Sequence, residues 1–309
     1  MIVAGARGHA ALALAGAAAA SMPFWAPTYY LQLGSTAAIA AMFALSLQLL
    51  VGAAGMVSLA HGAFFGLGAY AVHLTTQALG AAPHIALSLP AAAALAGAAA
   101  LGTGVLALRT KGFFFLMTTL AFGQMLYFLF HDTPLGGGMD GVYIQRPDLG
   151  WAVPKAARPA VFLWINLGLL AAMYAFLAWL MRTMFGRALL GIRANEPRMA
   201  ALGHDTRGIK LAAFGIAGAL AGVAGHMAAL TDAFVSPELL GWHRSAEALL
   251  MVLLGGIGAL HGPILGALAL TAIQEIGQTL TERQRLVEGL AILAAVLLLR
   301  RGLAGLGRR

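Results

Sequence analysis

The sequence predicts an all-α, polytopic integral membrane protein of about ten transmembrane helices, on three observations. Of its 309 residues, 61% are hydrophobic and only 10% charged, where a soluble domain carries roughly 25% charged residues. The mean hydropathy is +0.85. The apolar residues fall in long runs separated by short polar breaks. A formal charge of +8 would suggest nucleic acid in a soluble chain, yet the cations cluster at the ends of apolar runs and no basic patch is interleaved with aromatics. No nucleic-acid partner is expected. The absence of cysteine excludes disulfides and thiolate metal sites, and no metal site of any kind is expected.

About 20 apolar residues are needed to cross the ~30 Å hydrocarbon core. Such windows lie at about 9–26, 31–51, 56–79, 85–108, 112–130, 160–181, 210–231, 245–260, 263–281 and 286–300. The first 26 residues imitate a secretory signal, with Arg7 ahead of an apolar run and small residues at 18–20. Further spans follow at once, so an uncleaved first span is expected. The breaks have turn chemistry: Pro27, Gly52 with Gly55, Gly80 with Pro83, Arg109 to Gly112, and His261 to Pro263. The third and eighth windows carry the weakest signal. The Gly-rich run from Ser58 to Tyr70 also reads as a broken or re-entrant helix, which a membrane tolerates only against protein or a cavity.

Charge sets the orientation. With both termini inside, 13 of the 19 cations and only two of the eleven acids fall in cytoplasmic segments, as the excess of Lys and Arg in cytoplasmic loops requires. One transmembrane domain over 1–309 is expected, with a cytoplasmic loop at about 182–210 and an external loop at about 131–159. The cytoplasmic loop holds six of the cations. Within it Asn195 suits an N-cap, Pro197 a first turn, Ala200 and Ala201 a helix interior, and Gly203 a stop. A short helix outside the bilayer follows, with small residues where a partner can approach. A plain solvated loop that only sets orientation accounts for the arginines equally well.

Small residues recur at GxxxG spacing in Gly62–Gly66, Gly218–Gly222 and Gly262–Gly266. In so Gly-rich a chain the motif means helix packing. Polar residues inside spans are costlier and more telling. Ser58 and His61, three apart on one helical face, together with Thr118, Thr119, Gln124 and Glu247, are candidates to line a solute path. The alternative is a neutral interior histidine bonded to a carbonyl. Glu275, Gln278 and Glu282 form a stripe near a membrane surface. There is no HExxH, no GxSxG and no GxxxxGK[ST], so neither enzyme activity, a cofactor nor an ATP site is expected in this chain.

Several blocks bear a family likeness. Val57 to Tyr70 (VSLAHGAFFGLGAY), Lys111 to Gln124 (KGFFFLMTTLAFGQ) and Phe185 to Arg198 (FGRALLGIRANEPR) resemble the LivM-type permease subunit of branched-chain amino acid ABC importers. Lys210 to Phe214, Ser236-Pro237, Met251 to Gly258 and Gly262-Pro263 continue the likeness over roughly residues 30 to 303. The resemblance implies a bacterial inner-membrane subunit moving leucine-like amino acids. It also implies a paired homologous permease, two cytoplasmic ATPases and a periplasmic solute-binding protein. On it, the segment containing Gly186, Arg187, Arg193, Asn195, Glu196, Pro197, Arg198, Ala200, Ala201 and Gly203 resembles the coupling helix that docks on an ATPase. Arg198 stands where many ABC permeases carry Glu. Relatives also move urea, short amides or other amino acids. A stand-alone channel or secondary carrier is the rival of a different class.

Overall fold

The computed structural model describes residues 15–80, 84–144, 154–280, 289 and 302–305. The parts of the expected first span before 15, the expected last span at 286–300 apart from residue 289, and Glu282 lie outside the described residues. After helical residues 15–21, helix α1 (Thr28–Gln48) runs on through a π-helical stretch, Leu49–Ala54. Its 27 residues extend about 40 Å at 1.5 Å per residue. Gly55, at φ 71°, ends it. Then come α2 (His61–Leu79), α3 (Ile85–Ala107), α4 (Phe113–His131) and α5 (Arg158–Arg182). Two short helices follow, α6 (Met184–Ala194) and α7 (Glu196–Ala201), before α8 (Thr206–Asp232), α9 (Trp242–Gly255) and α10 (Gly262–Leu280).

Among the described residues, five helices are long and apolar enough to cross a membrane: α1 with its π-helical end, α3, α4, α5 and α8. The chain is thus an all-α membrane protein with one small addition. Strand β1 (Val142–Tyr143) pairs antiparallel with β2 (Phe234–Val235), tying the long loop after α4 to the end of α8. Two expected spans are corrected. Residues 56–60 are not helical, so the third starts at His61, and Ser58 does not share a helical face with it. The eighth is the 14-residue α9, about 21 Å long and too short to cross alone. The start of α2 is shifted because it lies inside the protein, at the fully buried His61.

Glycine makes that burial possible. A Cβ on Gly68 would strike the Gly222 backbone, and one on Gly225 the Phe65 carbonyl, so α2 and α8 pack backbone to backbone. Gly218 and Gly222 meet Ala100, Ala96 and Ala92 of α3 in the same manner. Lipid supplies no hydrophobic drive between helices, so close contact of small residues is what holds them. All three GxxxG pairs are packing surfaces: Gly62 lies against the Gly241 carbonyl, and Gly266 against Met251.

The two ends of the bundle differ. At one end Arg193 donates to the Gly52 carbonyl, Arg207 Nη2 donates to the Val105 carbonyl at 3.0 Å, and Lys210 pairs with Glu196 at 2.7 Å. At the other, the Tyr29 hydroxyl donates to Glu275 at 2.5 Å and the Tyr70 hydroxyl to the Gly136 carbonyl at 3.3 Å.

Candidate functional site

Two regions draw together the residues singled out from sequence. The first is the polar end around α6 and α7. Thr183 caps α6, its Oγ1 accepting from the Gly186 N–H at 3.5 Å, and Gly186 lies tight on Leu180 and Met181. Asn195 Oδ1 accepts from the Arg198 N–H at 3.0 Å and caps α7; Pro197 occupies its first turn. Gly203, at φ 86°, ends the turn that follows. Met199 tucks under Gly191, leaving Pro197, Arg198, Ala200, Ala201 and Leu202 exposed. Arg187 is exposed too. Arg193 points elsewhere. Its guanidinium holds the Gly52 carbonyl at the end of α1, and its Cγ lies where a Cβ on Gly55 would be 3.0 Å away.

Glu196 fixes α7 to α8. The Lys210 ammonium donating to it holds its carboxyl below the usual glutamate range, against an opposing push from burial and with help from the Lys111 charge.

The second region is the junction of α2 and α9 inside the bundle. No side chain of the preceding residues caps α2. Instead Ser245 of α9 accepts from the Gly62 N–H at 2.7 Å and donates to the Leu59 carbonyl at 2.7 Å. Thr119 Oγ1 of α4 accepts from the Leu59 N–H at 3.2 Å. Both backbone groups of Leu59, in the non-helical stretch before α2, are thereby satisfied by side chains, as non-helical backbone away from water must be. Ser58 is buried, its Oγ accepting from the Ala60 N–H.

His61 is fully buried and its Nε2 lies 2.8 Å from Ser46 Oγ. The single Ser46 proton goes to the Phe43 carbonyl at 2.6 Å, so Nε2 carries the imidazole proton and donates to Ser46. Phe43 stacks on the ring, with centroids 5.4 Å apart. The histidine clasps α2 to α1. Thr118 bonds its own helix, donating to the Phe114 carbonyl at 2.8 Å. Gln124 is half-buried, and Glu247 pairs with Arg244 at 3.0 Å. Thus Ser58, His61 and Thr119 come together, with Glu247 on the adjoining helix.

The sequence reading missed Ser46, Gln48, Arg244 and Ser245. Gln48 donates to the Ile257 and Ala259 carbonyls at 2.7 and 3.1 Å, binding α1 to the turn after α9. The available signal was length: the apolar run after Ser245 is too short for a crossing, so the polar cluster Trp242 to Glu247 does not start at a membrane surface.

The model of the "Branched-chain amino acid transport system / permease component" family matches residues 29–299. The chain belongs to this family, as a LivM-type permease. It is 31% identical over 294 residues to the high-affinity branched-chain amino acid transport system permease protein LivM of Escherichia coli K12, covering 88% of this chain and 69% of that one. A probable LivM of Methanocaldococcus jannaschii is 31% identical over 160 residues, 51% of this chain and 46% of its own. The autoinducer 2 import system permease protein LsrC of Escherichia coli O9:H4 is 35% identical over 109 residues, about a third of each chain (33% and 32%). No solved structure matches. Family membership and the five apolar helices make this permease a multi-pass membrane protein.

Proposed function

We propose that this permease is one membrane-spanning subunit of an ATP-driven importer in a bacterial inner membrane, and that it passes branched-chain amino acids. It pairs with a homologous permease and receives cargo from a periplasmic solute-binding protein. Two cytoplasmic ATPase subunits supply the energy, since this chain carries no phosphate-binding loop. The observation that carries the reading is α7. Its exposed Ala200 and Ala201 let a partner approach closely, while its flanks are tied into the bundle through Arg193 to α1 and through Glu196 to α8. A push on α7 therefore reaches the ends of two long helices. Both termini and residues 182–210 are cytoplasmic in this reading, and the loop after α4 faces the other side.

The test uses membranes holding the whole importer. ATP-dependent uptake of labelled leucine should be competed by valine and not by urea, and the ATPase should copurify with this chain. Uptake that follows an ion gradient instead of ATP would favour a secondary carrier. Uptake indifferent to every amino acid and competed by urea would move the cargo to amides.

A further inference from the structure

Arg244 and Glu247 are exposed charges at a depth where charge has no place against lipid. Arg244 Nη1 donates to Glu247 Oε2 at 3.0 Å, and both side chains remain partly open, at 44% and 36%. The guanidinium carbon stands 6.0 Å from the centre of the Phe65 ring. Phe65 in turn packs on Phe43 with centroids 4.6 Å apart. Phe43 is the sixteenth residue of a crossing segment that runs from Thr28 to Ala54, about 22 Å from one end and 16 Å from the other. The next residue, Ser245, is fully buried and caps α2 from the same helix turn. The ion pair therefore lies within the apolar slab, on a face the described residues leave partly open. Ionisable groups at such depth face a water-filled cavity or protein.

The geometry points to a cargo contact: we propose that Arg244 and Glu247 line the translocation path and bind the zwitterionic head of the transported amino acid. A guanidinium has five N–H donors in a planar fork that matches a carboxylate, and the Glu247 contact occupies one nitrogen. The Glu247 carboxylate accepts from the cargo ammonium in the same encounter. Trp242, exposed two residues before Arg244 on the same helix and tilted against His243 with centroids 3.9 Å apart, supplies apolar surface for a branched side chain, while Phe65 is buried against the guanidinium. A path of this kind binds the head group weakly, because the protein pair already satisfies itself and re-forms when the cargo leaves. Neither Arg244 nor the paired arrangement was evident from sequence, where Glu247 alone of the two stood out as a path candidate.

The proposal rests on the amino-acid importer reading, and the experiment separates the two. In membranes holding the complete importer, wild type and Arg244→Gln are compared for leucine uptake and for ATP hydrolysis stimulated by the binding protein. Uptake by Arg244→Gln should fall at least tenfold while stimulated hydrolysis stays within twofold. Loss of leucine uptake in the wild type would sink the importer reading. Normal uptake in the wild type and in Arg244→Gln sinks this one alone. The swapped variant Arg244→Glu/Glu247→Arg restores the ion pair, and full recovery of uptake by the swap would show the pair to be structural. Should Arg244→Gln fail to insert, Arg244→Lys keeps the charge without the fork, and wild-type uptake by it overturns the proposal. Arg244→Cys in this cysteine-free chain gives a second readout. A water-soluble methanethiosulfonate should label it and leucine should slow the labelling; no labelling in the assembled importer would place this face against the partner permease.

Discussion

Ser245 and Gly62 join the first turns of α9 and α2: the Ser245 hydroxyl accepts from the Gly62 N–H at 2.7 Å and donates its own proton to the Leu59 carbonyl. One side chain thus satisfies an orphan donor at the start of α2 and a carbonyl of the non-helical segment before it. Removing it leaves two buried backbone groups without partners, each costing about 1–3 kcal/mol. Ser245→Ala is expected to lower the stability of the detergent-purified protein by about 2 kcal/mol or more, read as a drop in thermal midpoint. An unchanged midpoint would mean that water replaces the hydroxyl at the junction.

The contact of α2 with α8 depends on hydrogen at Cα. A methyl on Gly68 would occupy the Gly222 backbone, and the backbone cannot turn aside as a long side chain does. Overpacking of that kind costs roughly 1–3 kcal/mol or more. Gly68→Ala should reduce the amount of folded protein in membranes, whereas Gly102→Ala, whose Cβ meets nothing within 4 Å, should leave it unchanged. Equal yields of the two variants would refute the backbone-to-backbone packing.

Much of this architecture was legible in the chain, and the misses share a cause. Long apolar runs bounded by Pro27, Gly80 and the Arg109–Gly112 break placed α1, α3 and α4 within a few residues, because a bilayer imposes length on every crossing. Asn195, Pro197 and Gly203 marked α7 because caps are local chemistry. The starts of α2 and α9 were not legible. Ala60 and Gly241 carry no capping side chain, and the groups that satisfy the α2 start come from Ser245 and Thr119, 183 and 60 residues away from the backbone atoms they bind. The same holds for His61. Its partner Ser46 belongs to another helix, so no spacing rule within one span distinguishes a clasp from a path residue.

The membrane orientation rests on charge and is open to labelling. Arg198 and Met139 are both exposed and lie at opposite ends of the bundle, one on α7 and one in the loop after α4. Single cysteines at Arg198 and Met139 should react with a membrane-impermeant maleimide from opposite sides of sealed vesicles, Arg198→Cys from the cytoplasmic one. Reaction of both from one side would overturn the orientation.

The Glu196–Lys210 tie has a pH dependence with a definite sign. Its carboxyl is held below the ordinary glutamate value chiefly by the hydrogen bond from Lys210. A depressed carboxylate pKa contributes stability that is fully present above the unfolded value, about 4.3, and is lost as pH falls through the folded value. The pair is partly exposed, so the gain is ~0.5 kcal/mol and no more than about 1. A spin label on Leu202 should therefore report an immobile α7 from pH 8 down to about 4.3 and a looser one as pH falls further. Glu196→Gln should be loose throughout; a label equally immobile in that variant would show that Arg193 and the Asn195 cap suffice.

Ala201 offers the sharpest test of α7 as the transmission point. It is exposed, one residue from Leu202, which at 69% is among the most exposed large apolar side chains. Its neighbour Ala200 is exposed as well, so the turn presents small and apolar surface away from the bundle. A glutamate at Ala201 adds bulk and charge where a partner's groove would close, at a cost of about 1–3 kcal/mol for overpacking alone, or roughly 5- to 150-fold in affinity. It touches nothing that holds the subunit together, since Asn195, Glu196, Met199 and Arg193 keep their own contacts. Ala201→Glu should therefore insert in normal amounts, lose copurifying ATPase, and lose ATP-driven uptake, whereas Ala201→Ser keeps all three. Normal uptake by Ala201→Glu would leave this segment a solvated loop that only orients the protein.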